Sequence, residues 1–284
     1  MNMKTNSTLS YFRDKSVLIT GASSGIGEEL AWQLAQAGAK LTLAARRREE
    51  LERVAQRIAT HGGANPLPAP CVVTCDVARD GNLEQAVAES VRHFGKLDVV
   101  FANAGFGVVG AFKKLSLADY RRQFETNVFG VLRTVYAALP ELEKTRGNLA
   151  FIGSVSGWVS PPGASPYCMS KFAVRALANS IAPELRRAGI KLTLISPGFI
   201  ASNIRRVDNR GTVHPDAADP VPAWIQMPTP QAARQILRAV ARGKREQIIT
   251  FHGKVFVAIE RFLPWFNRTF ASRMNSVYDS RSKL

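Results

Sequence analysis

The chain is poor in cysteine, with three in 284 residues. Cys71 and Cys75 lie on one face of an apolar run that is typical of a buried strand, too far apart along it to form a disulfide bond. Cys168 is either a packing residue, which we favour, or a reactive thiol. This usage excludes a small disulfide-stabilised scaffold. Since no secretory signal is recognisable either, we expect a cytoplasmic protein with reduced thiols.

The chain also lacks long apolar runs and an acidic excess. No stretch of about 18 apolar residues exists, so no segment is predicted to span a membrane. No metal-ligand cluster is recognisable from spacing, so no metal is predicted. Basic residues outnumber acidic ones by 38 to 22, a net charge of +16, which suggests a nucleic-acid or membrane partner. We expect no nucleic acid, because no basic stripe with interleaved aromatic residues is present.

Half of the net positive charge lies in the last part of the chain. Residues 231–284 contain eleven basic and three acidic side chains. Lys254, Arg261 and Arg268 recur every seven residues and so share one helical face. Apolar side chains lie on the opposite face: Phe256, Ile259, Leu263, Phe266 and Phe270. This predicted basic amphipathic tail, residues 252–284, either packs its apolar face on the domain or lies on a membrane surface.

Apolar runs alternate with helix-length segments along the chain. Seven runs are predicted to be strands: VLIT, LTLAA, CVVTC, LDVVFA, LAFIGS, LTLIS and QIITF. Repeated strand–helix units predict an α/β fold, a doubly wound, mostly parallel, seven-stranded sheet of the Rossmann type with helices on both faces. Ligands of such sheets bind at the carboxyl ends of the strands, where the strand order reverses.

The first predicted strand runs into a glycine-rich turn, TGASSGIG, and a helix follows. In that context a pyrophosphate can approach free backbone N–H groups at the helix N-terminus. Gly21 permits the tight exit from the strand, Gly25 the approach of the phosphates, and Gly27 the close packing of the helix. Further predicted contacts are Ser23, Ser24 and Ile26. The alternative is a turn that merely requires glycines.

The second predicted strand ends in Ala44 and Ala45, where an NAD-selective site usually places an acidic residue for the ribose hydroxyls. Arg46 and Arg47 follow at once, and guanidinium groups suit a phosphate. The pattern therefore predicts NADP(H), with Arg46 on the extra phosphate and Arg47 in support. The alternative is that these arginines begin a solvated helix, since three glutamates follow closely.

A candidate proton-transfer group lies in FIGSVSG and SPYCMSK. Tyr167 and Lys171 are four residues apart, about one helical turn, so the phenol and the ammonium share one face. The ammonium favours the phenolate, which lets Tyr167 exchange a proton with a substrate oxygen near neutral pH. Ser154 would hydrogen-bond the same oxygen. A tyrosine and a lysine at this spacing also occur by chance on helices, so the pair indicates catalysis only together with other motifs in the chain.

Seven motifs in one order, over about residues 15–205, resemble the short-chain dehydrogenase/reductase family. They are TGASSGIG, CDV, NAG, Asn127, Ser154, YCMSK and the PG of ISPGFIAS. The resemblance implies that Asp76 holds the adenine amino group with Val77 beside it. It implies that Asn127 binds a water through its backbone and continues a proton relay from Lys171. Further implied cofactor contacts are Asn103, Ala104, Gly105, Tyr167, Lys171, Pro197, Gly198, Ile200 and Ser202.

The resemblance also implies an organisation of the chain. We expect residues 1–284 to form one domain. Its cofactor-binding and catalytic core would be residues 14–202, and its substrate lid would be residues 203–230. In this family, helices equivalent to 117–143 and 165–188 often form a four-helix dimer interface. We therefore expect a homodimer, or a tetramer built from it.

Residues and resemblance together predict an NADP(H)-dependent oxidoreductase. Hydride would pass between the nicotinamide and the carbonyl or alcohol carbon of a hydrophobic ketone, aldehyde or secondary alcohol, lipid- or steroid-like and thus part of lipid metabolism. Tyr167 would protonate the oxygen, Ser154 would hold it, and Lys171 would tune the tyrosine and bind the ribose. Two alternatives stay open: a 3-oxoacyl-thioester reductase, and a non-catalytic NADPH-binding sensor. The tail adds a peripheral membrane contact as an expectation.

Overall fold

The computed structural model describes residues 8–60, 67–214 and 216–265. Within them the strands are β1 (Ser16–Thr20), β2 (Lys40–Ala45), β3 (Cys71–Thr74), β4 (Val99–Ala102), β5 (Asn148–Ile152), β6 (Lys191–Pro197) and β7 (Glu246–Ile249). The α-helices are α1 (Gly25–Gln36), α2 (Arg48–Thr60), α3 (Asn82–Phe94), α4 (Leu117–Phe124), α5 (Gly130–Thr145), α6 (Ser165–Arg187), α7 (Thr229–Ala241) and α8 (Phe251–Phe262). A π-helical segment, Glu125–Phe129, joins α4 to α5.

The strands form one seven-stranded sheet in the order β3-β2-β1-β4-β5-β6-β7, and all the neighbouring pairs are parallel. All seven predicted strands and the doubly wound arrangement are confirmed. The order reverses at β1, which pairs with β2 on one side and with β4 on the other. The crevice of such a sheet lies at the carboxyl ends of these strands.

The sheet is buried on both faces because helices cover each of them. Alternate residues of β1 take opposite sides: Val17 and Ile19 join the layer that includes α1, α2 and α7, whereas Leu18 joins the layer of α3, α5 and α6. Side chains in a strand alternate between faces, so continuous apolar runs suit a sheet covered twice. These two cores hold the strand ends, and hence the site, in place.

Helix α8 forms the described part of the predicted tail. Thr250 caps it, since its hydroxyl oxygen accepts a hydrogen bond from Gly253 N–H at 3.1 Å. The helix ends at Phe262, before Pro264, because a residue preceding proline is disfavoured in the helical conformation; Leu263 has φ −136° and ψ 54°. The predicted tail positions that lie outside the described residues are Phe266, Arg268 and Phe270.

The faces of α8 differ from the predicted ones. Its buried residues are Gly253 and Val257, one turn apart. Phe256 and Leu263, predicted to share an apolar face that packs on the domain or lies on a membrane, are 38% and 48% exposed. Lys254 is exposed as well. The packed face is therefore narrow, and aromatic side chains lie in solvent beside basic ones.

The cysteines are free and buried. Burial raises the pKa of the Cys168 thiol to about 11, which agrees with the packing role favoured above. Cys71 and Cys75 pack in the same layer of the core. Among the described helices, none combines the length and the apolar character needed to cross a bilayer.

Candidate active site

A cleft of about 700 Å³ opens at the carboxyl ends of the strands. All the side chains and backbone positions predicted to contact the cofactor line it: Gly21, Ser23, Ser24, Gly25, Ile26, Gly27, Arg46, Arg47, Asp76, Val77, Asn103, Ala104, Gly105, Tyr167, Lys171, Pro197, Gly198, Ile200 and Ser202. Ser154 lines the same cleft. The structure thus brings these residues together, while their individual roles stay predictions.

The glycine-rich turn is held against the sheet by close contacts. Gly21 has φ +68°, a conformation that suits glycine. A Cβ on Gly27 would lie 2.2 Å from the Gly21 carbonyl oxygen and 2.6 Å from Asn103 Nδ2, so only glycine fits there. Asn103 Nδ2 in turn donates to the carbonyl oxygens of Thr20 at 2.9 Å and Gly21 at 3.2 Å. Asn103 therefore fixes the turn that presents the start of α1 to the cleft.

Two guanidinium groups flank the turn at the end of β2. Arg47 Nη2 donates to Ser23 Oγ at 3.4 Å, above the glycine-rich turn. Arg46 Nη2 donates to the Gly211 carbonyl oxygen at 3.3 Å. Free backbone N–H groups at a helix N-terminus and two nearby cations are the donor set that a phosphorylated nucleotide requires. The residues present therefore fit a nicotinamide dinucleotide.

The carboxylate predicted to bind adenine is fixed by its own turn. Asp76 Oδ1 accepts a hydrogen bond from Ala78 N–H at 3.0 Å, and Asp76 N–H donates to Asn82 Oδ1 at 3.0 Å. Val77 is buried beneath it. The turn places Asp76 on the wall of the cleft near the end of β3.

Three of the four residues predicted to be catalytic, Ser154, Tyr167 and Lys171, come from two elements that follow β5. Ser154 precedes a short 3₁₀ turn, and its Oγ accepts a hydrogen bond from Ser156 N–H at 3.0 Å. Because that lone pair is used, the hydroxyl proton is directed elsewhere and can be donated to a substrate oxygen. Tyr167 and Lys171 lie one turn apart on α6, with Lys171 Nζ 5.7 Å from the centre of the tyrosine ring.

Lys171 is a buried cation. Its Nζ donates to the Ile152 carbonyl oxygen at 2.9 Å, and an ammonium has two further protons to donate. Burial lowers the pKa of Lys171 to about 8. The side chain is therefore still mainly protonated at neutral pH, and its charge lies at the base of the cleft beside Tyr167.

Asn127 lies behind the cleft wall and does not line the cleft itself. It is buried in the π-helical segment, a feature frequent at functional sites. Its Oδ1 accepts from Phe106 N–H at 3.2 Å, and its Nδ2 donates to the Phe106 carbonyl oxygen at 3.0 Å and to Ser170 Oγ at 3.2 Å. The side chain therefore ties the segment after β4 to α6, and the backbone-mediated relay stays a prediction.

A residue that sequence reasoning missed supports the loop after β6. A Cβ on Gly198 would lie 2.3 Å from Thr250 Oγ1 and 2.6 Å from His252 Nε2, so the loop rests directly on the start of α8. Phe199 N–H donates to His252 Nε2 at 3.0 Å, and the two rings stack with centres 5.3 Å apart. No motif marks His252; the signal was a lone histidine directly after the seventh strand.

Part of the predicted lid crosses the cofactor side of the cleft. We call residues 207–213 the strap; Val207 and Val213 form an antiparallel bridge at its base. Arg46 holds its tip through the Gly211 carbonyl on the β2 side. On the β4 side, Asn209 Nδ2 donates to the Val109 carbonyl oxygen at 2.8 Å and Asn209 Oδ1 accepts from Val109 N–H at 3.0 Å.

The strap is also fixed internally and at its base. Asp208 Oδ1 accepts from the N–H groups of residues 210 and 212 at 2.8 and 2.9 Å. Arg205, just before the strap, is buried and forms two 2.7 Å bonds with the Asp219 carboxylate. The lid predicted for substrate therefore contributes Ile204, Arg205, Val207 and the strap tip to the cofactor cleft as well. The sequence alone did not predict which residues of the lid make these contacts.

Comparison with known proteins agrees with this geometry. A family model described as short chain dehydrogenase matches residues 15–212. Dehydrogenase/reductase SDR family member 7B of Rattus norvegicus is 33% identical over 278 residues, which cover 96% of this chain and 85% of that protein. The 11-beta-hydroxysteroid dehydrogenase-like 4A of Arabidopsis thaliana is 34% identical over 245 residues, 86% of this chain and 76% of that protein.

Solved structures give the same result. The alcohol dehydrogenase from Thermococcus sibiricus, complexed with 5-hydroxy-NADP, superimposes with a TM-score of 0.71 at 26% identity, over 83% of this chain and 95% of that one. The family match spans most of the chain and includes the glycine-rich turn, Ser154, Tyr167 and Lys171. The chain therefore belongs to the short-chain dehydrogenase/reductase family, and it is an oxidoreductase that acts on CH–OH groups with a nicotinamide cofactor.

Proposed function

We propose that the protein is an NADP(H)-dependent oxidoreductase that interconverts a hydrophobic ketone or aldehyde and the corresponding alcohol, with a lipid- or steroid-like substrate. One observation carries the proposal: Ser154, Tyr167 and Lys171 line the same cleft as Arg46 and Arg47. The proton-transfer group and the candidate phosphate-binding cations thus lie on one continuous surface.

The reaction chemistry divides between cofactor and protein. When bound, NADP(H) supplies or accepts the hydride. Tyr167 donates a proton to the carbonyl oxygen in reduction and removes it from the alcohol in oxidation. Ser154 donates its hydroxyl proton to the same oxygen and orients it. The buried ammonium of Lys171 favours the tyrosinate between turnovers.

The preference for NADP rests on the end of β2. Ala45 lies on the cleft wall where an acidic side chain would repel a phosphate, and Arg46 and Arg47 follow it. The ligand of the Thermococcus sibiricus relative is 5-hydroxy-NADP. A guanidinium can donate two parallel hydrogen bonds to a phosphate, which the unphosphorylated ribose cannot accept.

The substrate class rests on the apolar side of the cleft and on the names of relatives. Phe106, Ile152, Ile204, Val207 and Val213 line the cleft together with the catalytic trio. Burying a rigid apolar molecule against such a wall provides most of the binding free energy. Curated relatives named as 11-beta-hydroxysteroid dehydrogenases point in the same direction.

The deciding experiment follows NADPH oxidation over a panel of steroid ketones, long-chain aldehydes, small ketones and 3-oxoacyl thioesters. We expect turnover with NADPH on the apolar carbonyls and a loss of activity of at least about 100-fold in Tyr167→Phe, the usual contribution of a general acid.

We expect Arg46→Asp to reduce the preference for NADPH over NADH by about 10- to 100-fold, since a charged hydrogen bond is replaced by repulsion.

Matched controls separate the outcomes. Arg48→Asp changes charge equally but alters an exposed side chain that pairs with Glu52 at 2.7 Å, so it should leave the nucleotide preference unchanged. Turnover confined to thioesters would replace the proposed substrate class. Tight NADPH binding without turnover on any carbonyl or alcohol would contradict the reductase and favour the non-catalytic sensor.

We also propose that the protein is a homodimer. Tyr136 on α5 and Met169 on α6 are 72% and 50% exposed, and Phe129 and Phe172 are exposed beside them. Large apolar side chains clustered on two helices are typical of a surface that packs against another protein. A second copy would cover this surface by pairing α5 and α6 across a two-fold axis.

We further propose a cytoplasmic protein with a peripheral membrane contact through α8. Phe251 and Phe262 are 81% and 73% exposed, and Lys254 and Arg261 are exposed on the same short helix. Aromatic side chains beside basic ones are typical of helices at an anionic lipid surface.

Vesicle flotation tests this contact. We expect the full chain to float with vesicles of phosphatidylcholine and phosphatidylserine, and the double variant Phe251→Glu/Phe262→Glu to remain in the soluble fraction. Phe112→Glu is the matched control, because Phe112 is 77% exposed outside α8. Equal flotation of the double variant and the wild type would contradict the proposal.

A further inference from the structure

A second group of chemically reactive side chains lies outside the cofactor cleft. Cys71 is the first residue of β3, the edge strand, and Glu89 and His93 lie on α3, which packs beside it. None of the three lines the cleft. Spacing did not reveal this group, because Glu89 and His93 follow Cys71 by 18 and 22 residues, in a different element. The prediction that the protein binds no metal thus stays untested, but among the described residues these three side chains lie close enough to hold an ion.

The geometry of the cluster matches a metal polyhedron. Glu89 and His93 are four residues apart, so they share a helix face. Cys71 Sγ lies 3.6 Å from His93 Nδ1, and His93 Nδ1 lies 3.7 Å from Glu89 Oε2. The three candidate ligand atoms are all within 4.8 Å of one another. Bond lengths of about 2.3 Å to sulfur and 2.0 Å to nitrogen put tetrahedral ligand pairs roughly 3.5 Å apart.

A buried hydroxyl lies on the strand next to Cys71. Thr42 on β2 is paired in register with Cys71 and is fully buried. Among the described residues its Oγ1 has no oxygen or nitrogen partner. Burial, the largest effect, and the Glu89 charge raise the pKa of the Cys71 thiol, so the metal-free protein holds it protonated. A bound cation reverses this balance, since it replaces the thiol proton.

The cluster is partly exposed to solvent, and Glu89 and His93 already form hydrogen bonds. The side chains of His93 and Glu89 are 40% and 32% exposed, so solvent reaches the cluster. Arg92 donates from Nε and Nη2 to Glu89 Oε2, the oxygen that lies 3.7 Å from His93 Nδ1, so the carboxylate oxygen open to an ion is the other one, Oε1. His93 Nδ1 also lies 3.0 Å from the Glu89 carbonyl oxygen, and a metal ion bound to this nitrogen would replace that contact.

We propose that Cys71, Glu89 and His93 bind one zinc ion, with a water molecule as the fourth ligand. A thiolate, an imidazole and a carboxylate form a donor set that suits zinc and disfavours magnesium or calcium, which require oxygen ligands. The ion would join the edge strand β3 to α3. It would thereby stabilise the strand whose end carries Asp76.

The test uses full-length protein freed of metal with a chelator. Cobalt(II) serves as the spectroscopic probe, since a thiolate ligand gives it a charge-transfer band in the near ultraviolet. We expect one equivalent of cobalt to produce this band and zinc to abolish it. Zinc at about 100 times its dissociation constant should raise the melting temperature by roughly 5–10 °C.

Variants make the assignment specific. Cys71→Ser should abolish the band, and His93→Gln should weaken zinc binding by at least about 10-fold. Cys75→Ser and Cys168→Ser, at the other two cysteines, should retain the band. Circular dichroism confirms that each variant is folded, and His93→Gln changes a half-exposed residue, so it tests the site even if Cys71→Ser unfolds. A wild-type protein without the band, or a band retained in Cys71→Ser, would overturn the proposal.

Discussion

At the scale of single residues, the ammonium of Lys171 is a buried charge that lowers the stability of the cofactor-free protein. It is buried, and its Nζ donates a hydrogen bond to the backbone carbonyl oxygen of Ile152. Desolvation disfavours the charged form, which is why burial lowers the pKa of Lys171 to about 8, well below that of an exposed lysine. The site thus keeps a charge that destabilises the cofactor-free protein but serves Tyr167.

This gives a prediction for stability against pH. Because the folded pKa lies below the unfolded one, the unfolded chain binds more protons between about pH 8 and pH 10.5. The free energy of unfolding of the cofactor-free protein should therefore rise through this window by up to about 3 kcal/mol, at about 1.4 kcal/mol for each pH unit. Lys171→Met should lack this rise. Chemical denaturation at pH 7.5, 9 and 10.5 compares the two, and parallel curves would contradict the prediction.

At the scale of elements, the start of α8 acts as a support for the loop after β6. Thr250 has φ +81° and ψ 143°, a conformation that non-glycine residues rarely adopt and that costs roughly 1–3 kcal/mol. The turn it forms places its hydroxyl and His252 against Gly198 and Phe199. The tail predicted as a membrane or packing element thus has a third role beside the cleft.

The contact between His252 and the loop after β6 should weaken at acidic pH. Phe199 N–H donates to His252 Nε2, so that nitrogen must be unprotonated, and burial lowers the pKa of His252. Since the folded pKa lies below about 6.5, this contribution to stability is complete above about pH 6.5 and is lost as pH falls through the folded pKa. We expect the KM for the nucleotide to rise between pH 6.5 and pH 5 in the wild type.

Two variants at this position separate charge from packing. In His252→Gln an amide oxygen can accept the same hydrogen bond without titrating, so the acid-induced rise in KM should be smaller than in the wild type. His252→Ala should raise KM at all pH values. An identical pH profile for the wild type and His252→Gln would remove the titration of His252 as the cause.

The strap is the other element with a measurable role. Asn209→Ala removes two hydrogen bonds to Val109, each worth about 1 kcal/mol. We expect release of NADPH to become about 10-fold faster, measured by stopped-flow displacement. Asp216→Ala, an exposed lid position outside the strap, is the control. Unchanged release from Asn209→Ala would show that the strap does not retain the nucleotide.

At the scale of the whole molecule, we expect charged substitutions on α5 and α6 to separate the two subunits of the proposed dimer. Tyr136→Glu on α5 and Phe172→Glu on α6 should convert the dimer to a monomer in light scattering after gel filtration, because they place charge in an apolar interface. Phe112→Glu, at an exposed phenylalanine outside both helices, should leave the mass unchanged. A wild-type protein that is monomeric would contradict the proposal directly.

Local sequence predicted a large part of this molecule. The seven strands follow from apolar runs, and the glycine-rich turn and the Tyr167–Lys171 pair follow from short spacings within single elements. Contacts between distant segments were not predictable in this way. The pairing of Asn209 with Val109, the support of Phe199 by His252 and the meeting of Cys71 with His93 depend on how loops and layers pack.

The strap joins the two sides of the crevice above the switch point, with Arg46 on the β2 side and Val109 on the β4 side. We expect these bonds to slow the departure of a nucleotide from the cleft more than that of a carbonyl compound near Tyr167. The two reactants therefore have unequal residence times. Steady-state kinetics should then be compulsory-ordered, with the nucleotide first to enter and last to depart, and the departure of the oxidised nucleotide should limit the turnover number.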